Sequence, residues 1–259
     1  MPEILEVESY RTLAELVVGR TIAEVKAPDP WYVKGGATPG DIDDAMSGRR
    51  VTSVRRRGKL LLLDSGGPTL GLRFGMTGRL LVDGKTSIDY LRWGARRTDP
   101  AWERFGLVFR GGGRLWVDDP RRLGGVELAP EEEDLGPDAW SVTVSVLATA
   151  LAGGRGPLKA RLLDQSRLAG LGNLLTDEVL WRAGLSPHRP AGSLDREEQL
   201  ILGRTIRSTI ALLYRRGGSH TGDLMPVRTN GGCCPVDGHP LERDVVGGRT
   251  TWWCPAHQR

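Results

Sequence analysis

The sequence has no long hydrophobic run. No stretch approaches the roughly 18 consecutive apolar residues of a membrane-crossing helix, so no helical span and no membrane partner are expected. Near its start the chain carries Glu3, Glu6 and Glu8, where a secretory leader would place basic and then apolar residues. The protein is therefore read as cytoplasmic. Cysteine is scarce, with three residues, all within the last 27 positions. An odd number crowded at one end makes a poor disulfide framework and a better metal site. No internal repeat or low-complexity array is evident, so the chain is not built as a repeat array.

What is present is an ordinary soluble mixture, 39% hydrophobic and 26% charged. At 259 residues the chain suits two compact domains or one large one. Its net charge of +4 is unevenly placed. Basic residues gather at Arg55-Arg56-Arg57 with Lys59, at Arg92, Arg96 and Arg97, at Arg121-Arg122, and at Arg215-Arg216, while Glu131-Glu132-Glu133-Asp134 interrupts them. Separate basic clusters suit a polyanion tracked along a groove. Solvated surface loops have the same composition.

Hydrophobic spacing predicts a helix over residues 4–18, with Val7, Tyr10, Ala14 and Val17 recurring at helical intervals and Gly19 ending it. From about residue 20 to 128, short β-like runs with Gly-rich punctuation predict a sandwich or barrel-like sheet. The stretch "LAPEEEDLGPDAW" reads as a linker, and residues 138–216 read as helices that stop at Gly217-Gly218. The tail is too short and polar to hold a core unaided, and a metal clip would supply what burial cannot.

Within that tail, Cys234-Pro-Val-Asp237 and Cys254-Pro-Ala-His257 are two C-x2-ligand pairs with 16 residues between them, the pattern of a β-hairpin zinc site. Imidazole and carboxylate can both join two thiolates on zinc. The competing reading is a hairpin that lost its metal and is held by Trp252 and Trp253. In "GLGNLLTDEVLWRAGLSP", Asn173 stands at a helix start, where free N–H groups favour a phosphate; the plainer reading makes it an N-cap. Lys59 heads an apolar strand, Met76 lies in a turn next to Gly75, and "DDPRRLGG" places Arg121 and Leu123 in another turn. A flexible apolar side chain and an arginine on neighbouring loops are suited to fill a base stack from which a nucleotide is extruded. Taken singly, a Met or Leu is more often core.

Five segments in order, "MPEILEVE", "RRRGKLLLLD", "GMTGRLLV" with "DDPRRLGG", "LLDQSRLAGLGNLLTDEVLWRAGLSP" and "GGRTTWWCPAHQR", resemble the formamidopyrimidine-DNA glycosylase / endonuclease VIII family of base-excision repair enzymes. The resemblance implies an α+β fold. Its parts would be an N-terminal β-sandwich with an initial helix over 1–129, a helix–two-turn–helix domain over 136–222, and a zinc-finger-like β-hairpin over 223–259. It implies a monomer, associated with the nucleoid, that acts on double-stranded DNA bearing a damaged base or abasic site. Pro2 would be the nucleophile once Met1 is removed, because a secondary amine can attack the sugar C1′ and leave an iminium electron sink. Glu3 would be the general acid and base, while Lys59 and Arg249 would grip phosphates and assist β- and δ-elimination. Asn173 would clamp a phosphate, and Met76, Arg121 and Leu123 would occupy the vacated stack. The sequence departs from the family pattern at Leu5 (usually proline), Leu123 (usually phenylalanine), Leu175 (usually aromatic), and at Asp237 and His257 (usually cysteines). A short segment also precedes the hairpin. Two alternatives stand beside the glycosylase/lyase: a non-catalytic damaged-DNA-binding relative and a generic zinc-ribbon nucleic-acid-binding protein.

Overall fold

A computed structural model describes residues 2–88, 91 and 97–259. Met1, Arg92 and Arg96, named above, lie outside the described residues. The chain divides into two compact units, one of Pro2 with Glu6–Glu132 and one of Glu3–Leu5 with Glu133–Arg259.

Helix α1 (Ile4–Ala14) buries Val7, Tyr10 and Ala14, then tightens into a 3-10 turn over Glu15–Val17 before Gly19 reverses the chain. The strands that follow are β1 (Ile22–Lys26) and β2 (Val33–Lys34). Helix α2 (Pro39–Met46) interrupts the expected β pattern. Thr38 and Asp41 form a reciprocal capping box with Pro39 at the first turn, and Ile42 and Met46 are buried. Then come β3 (Ser53–Arg57), β4 (Leu60–Asp64), β5 (Leu70–Arg73), β6 (Arg79–Val82), β7 (Glu103–Phe109), β8 (Arg114–Asp118) and β9 (Gly125–Leu128). Among the described residues they form a four-stranded sheet, β1-β7-β8-β6, and a five-stranded sheet, β2-β9-β5-β4-β3. Neighbours are antiparallel except β2 and β9. Leu61, Leu63, Leu72 and Val126 of one sheet share a single core with Leu80, Phe105, Leu107 and Leu115 of the other, which makes the unit a sandwich. Each fully buried leucine stabilises that core by about 1.5–3 kcal/mol relative to exposure.

The second unit contains α3 (Val144–Leu151), α4 (Leu158–Leu163), α5 (Asn173–Ala183), α6 (Arg196–Arg216) and the hairpin β10 (Glu242–Val246) with β11 (Arg249–Trp253). An Asp195–Glu198 capping box starts α6, and Gly217, at φ 99°, ends it. Leu202, Ile206, Ile210 and Leu213 of α6 pack with Leu175 and Val179 of α5 and with Ile4 and Leu5. A smaller core joins Trp181, Leu224 and Leu241 to Trp252, Cys234 and Cys254. The expected α+β architecture of sheets, helical domain and terminal hairpin is the one observed.

Candidate active site and DNA-contact residues

Glu3 is fully buried, and its carboxylate accepts three backbone N–H groups: Gly172 at 3.0 Å, Leu174 at 2.9 Å and Leu175 at 3.1 Å. These are the otherwise unpaired donors of the first turn of α5. Together with the helix dipole they stabilise a negative charge there. Gly172 is required by space, because a Cβ at that position would lie 2.2 Å from Glu3 Cδ. Ile4 N–H donates to Gly170 O at 3.1 Å and fixes the next residue to the same turn. Pro2, adjoining Glu3 in the chain, is itself buried, as is Glu6.

Asn173 is the first residue of α5; Gly172 is the N-cap, and this corrects the plainer reading of Asn173. The Asn173 amide donates to Thr250 O at 3.0 Å, which ties the start of α5 to the strand that begins with exposed Arg249. Its Oδ1 is buried without a hydrogen-bond partner among the described residues. Lys159, fully buried, reinforces the same junction. Its Nζ donates to Thr250 O (3.1 Å) and Thr251 Oγ1 (2.7 Å) and lies 2.7 Å from Asp177 Oδ1, close but without hydrogen-bond alignment. Asp177 Oδ2 accepts from Arg228 at 2.5 Å and from the Trp252 N–H at 3.3 Å. Burial holds the Lys159 ammonium below the usual lysine range, and Asp177 opposes that shift. Sequence reasoning missed this network. Glu178 is also buried, and its two oxygens accept from the N–H groups of Asp223 and Leu224, both at 2.9 Å, fixing the segment after α6.

In the first unit, Lys59 occupies the two-residue turn between β3 and β4, after Gly58 at φ 57°. Half-buried Met76 lies in the turn from Phe74 to Gly78, which is closed by a Gly78 N–H bond to Phe74 O at 2.8 Å. Arg121 and Leu123 are exposed on the turn before β9. The structure brings these two turns together: a Cβ at Gly75 would lie 2.3 Å from the Leu123 carbonyl carbon. The residue that organises them is Asp119, fully buried and also missed by sequence reasoning. It accepts from Thr77 Oγ1 (2.5 Å), Arg121 N–H (3.3 Å), Gly124 N–H (2.8 Å) and the Tyr32 hydroxyl (3.3 Å). An Asp one residue before "PRR" is a turn-forming signal that was available in the sequence. Several basic-cluster members are engaged internally: Arg55 with Asp64 and Glu132, Arg56 with Glu8, Arg122 with Asp29, and Arg216 with Asp223.

At the tail, one ligand atom each from Cys234, Asp237 and Cys254 lies within 4.8 Å of the others, a candidate metal group. His257 is outside that group, and its Nε2 lies 2.8 Å from Trp181 O. The Trp181 indole N–H donates to Cys234 Sγ at 3.3 Å and the His257 backbone N–H to Cys254 Sγ at 3.4 Å. The His239 backbone N–H holds the Asp237 carboxyl below its usual range, and burial pushes the Cys254 thiol up.

Residues 1–126 match the formamidopyrimidine-DNA glycosylase N-terminal domain, and residues 135–223 match the H2TH domain of the same enzymes. The chain belongs to this family. It is 37% identical to the formamidopyrimidine-DNA glycosylase of Thermus thermophilus, with 100% of this chain and 98% of that one covered. It is 35% identical to the enzyme of Paracoccus denitrificans, with both chains fully covered. Among solved structures, a Lactococcus lactis Fpg variant in complex with Fapy-dG-containing DNA superposes with a TM-score of 0.83 at 25% identity, again over both whole chains. The chain thus carries the fold and sequence of base-excision DNA glycosylases, which are DNA-binding enzymes. No helix among the described residues is long and apolar enough to cross a membrane.

Proposed function

We propose that this protein excises damaged bases from double-stranded DNA and cleaves the resulting abasic site, through a Schiff base on Pro2. The observation that carries the reading is the Glu3 carboxylate, fixed by three N–H donors immediately after Pro2. A buried carboxylate so restrained, next to an amine-bearing residue, suits proton transfer at a reacting sugar.

With Met1 removed, the Pro2 nitrogen lone pair attacks C1′, and the base leaves with the electrons of the glycosidic bond and gains a proton. Opening of the C1′–O4′ bond gives the iminium, and Glu3 exchanges protons at the sugar. Loss of a C2′ proton then expels the 3′ phosphate, and a second elimination expels the 5′ phosphate. Lys59, Asn173 and Arg249 hold phosphates through these steps. Met76, Arg121 and Leu123 fill the vacated stack. Asn173 and Arg249 act as one element, because Thr250 joins them.

Cys234, Asp237 and Cys254 would hold zinc, and His257, whose ring nitrogens lie outside that group, would have to move toward it to become the fourth ligand. N–H groups of Trp181 and His257 already point at the two sulfurs, as they would at thiolates. With Nε2 against the Trp181 carbonyl, Nδ1 of His257 is the nitrogen left with a lone pair. Bound zinc would cross-link the two ends of the hairpin and stabilise the small core beneath it.

Borohydride trapping on abasic and lesion-bearing duplexes tests the reading. A covalent protein–DNA adduct is expected, lost in Pro2→Gly and when a tag precedes Pro2. Retained DNA binding without an adduct on any lesion would replace it with the non-catalytic damage-binding relative.

A further inference from the structure

Trp31 is an aromatic side chain left 55% exposed, in a single 3-10 turn over Pro30–Tyr32. It stands beside the turn before β9 that carries Arg121, Arg122 and Leu123. Arg122 bonds both oxygens of Asp29, at 2.6 and 2.7 Å, and its guanidinium carbon lies 5.1 Å from the centre of the Trp31 ring. Lys34 places its ammonium 3.1 Å from the same ring and donates to the Trp31 carbonyl at 2.6 Å. Tyr32, the next residue, reaches Asp119, which organises the Met76 and Leu123 turns. Arg122 adopts φ 55°, a conformation costly for a non-glycine residue and stabilised here by its bidentate bond to Asp29. Leu123, immediately after it, is 47% exposed.

Two exposed apolar side chains therefore sit on turns fastened to one another, with Arg121, Arg122 and Lys34 around them. An indole 55% exposed with two cations at its ring carries apolar surface and positive charge together, the combination that binds single nucleobases on a polyanion. We propose that Trp31 is a further DNA-contact side chain beside the Met76 and Leu123 turns, stacking its exposed indole on a nucleobase beside the gap filled by Leu123. This rests on the glycosylase reading above. It assigns to Trp31 the aromatic contact that the leucine at position 123 does not provide.

The test uses the full-length protein and a duplex carrying a tetrahydrofuran abasic analogue, with 2-aminopurine placed in turn opposite the gap and at its neighbours. Trp31→Ala should lose about ten-fold in affinity and lose 2-aminopurine quenching at one of these positions. Trp31→Phe should retain the quenching. The slope of log affinity against log salt should not change, because stacking neutralises no phosphate. Leu16→Ala, which removes an apolar side chain exposed to the same 55%, should leave binding unchanged. Wild-type affinity and quenching in Trp31→Ala would overturn the inference. So would a loss accompanied by a salt slope lower by about one, which would mark a displaced phosphate contact. These binding readouts stand whether or not borohydride traps an adduct, so failure here and failure of the catalytic reading are told apart.

Discussion

Replacing Lys159 by methionine keeps the aliphatic stem and removes the charge on which the α4–α5–hairpin junction is built. Lys159 is wholly buried, and the change would leave Thr250 O with only the Asn173 amide, Thr251 Oγ1 without its donor, and Asp177 Oδ1 without its nearby cation. Breaking one partner from a buried ion pair costs about 3–5 kcal/mol. Asp177 keeps Arg228 at 2.5 Å, which places the expectation at the lower end, about 3 kcal/mol. For a chain of this size that is a fall of roughly 6–12 °C in melting temperature. Urea denaturation gives the magnitude, and hydrogen exchange at the Trp252 amide, which donates to Asp177, gives the location. Thr250 adjoins Arg249, so on the role proposed for Arg249 trapping should persist while the second elimination slows. A loss below about 1 kcal/mol with unchanged exchange at Trp252 would refute the view that this network holds the hairpin.

Gly172→Ala would force a Cβ to within 2.2 Å of Glu3 Cδ and should abolish base excision while the protein stays folded, measured by lesion cleavage beside circular dichroism. The hairpin should hold close to one equivalent of zinc in purified protein, measured by atomic emission, and chelation should loosen Trp252 before the sandwich; only a trace of zinc would sink the mixed-ligand site. Tyr10 and Tyr32 are raised above the tyrosine value of 10.0, mainly by burial. The unfolded chain therefore loses these protons near pH 10 while the folded one keeps them. Stability is present below that pH and lost above it. Ultraviolet titration should show these two phenolates appearing only as the sandwich unfolds.

The local features were legible because their chemistry is local. The sequence places the Met76 turn beside Gly75 and the end of α6 at Gly217, whereas Lys59, expected at the head of a strand, sits in the turn behind Gly58, and the Asp195–Glu198 cap of α6 is a local signal that sequence reasoning missed. Helix α2 was missed because it has only two buried apolar side chains, and its capping box is the stronger signal. Asp119, Lys159 and Asp177 were not legible as buried groups. Burial of a charge depends on distant partners: Lys159 meets Thr251 across 92 positions and Asp119 meets Tyr32 across 87. The internal pairing of Arg55, Arg56, Arg122 and Arg216 was hidden for the same reason, since composition shows a cation and not the carboxylate that engages it.

Membership of residues 3–5 in the second unit has a practical consequence for anyone rebuilding this protein. Ile4 and Leu5 fill the helical core, and Ile4 is bonded to Gly170, although more than 120 residues of sandwich intervene in the chain. A single cut near residue 133 would therefore yield a C-terminal fragment with a hole where those side chains belong. Supplying residues 3–5 in trans, or through a circular permutation that joins them ahead of Glu133, should restore it. Chimeras between relatives should exchange this tripeptide together with the C-terminal half.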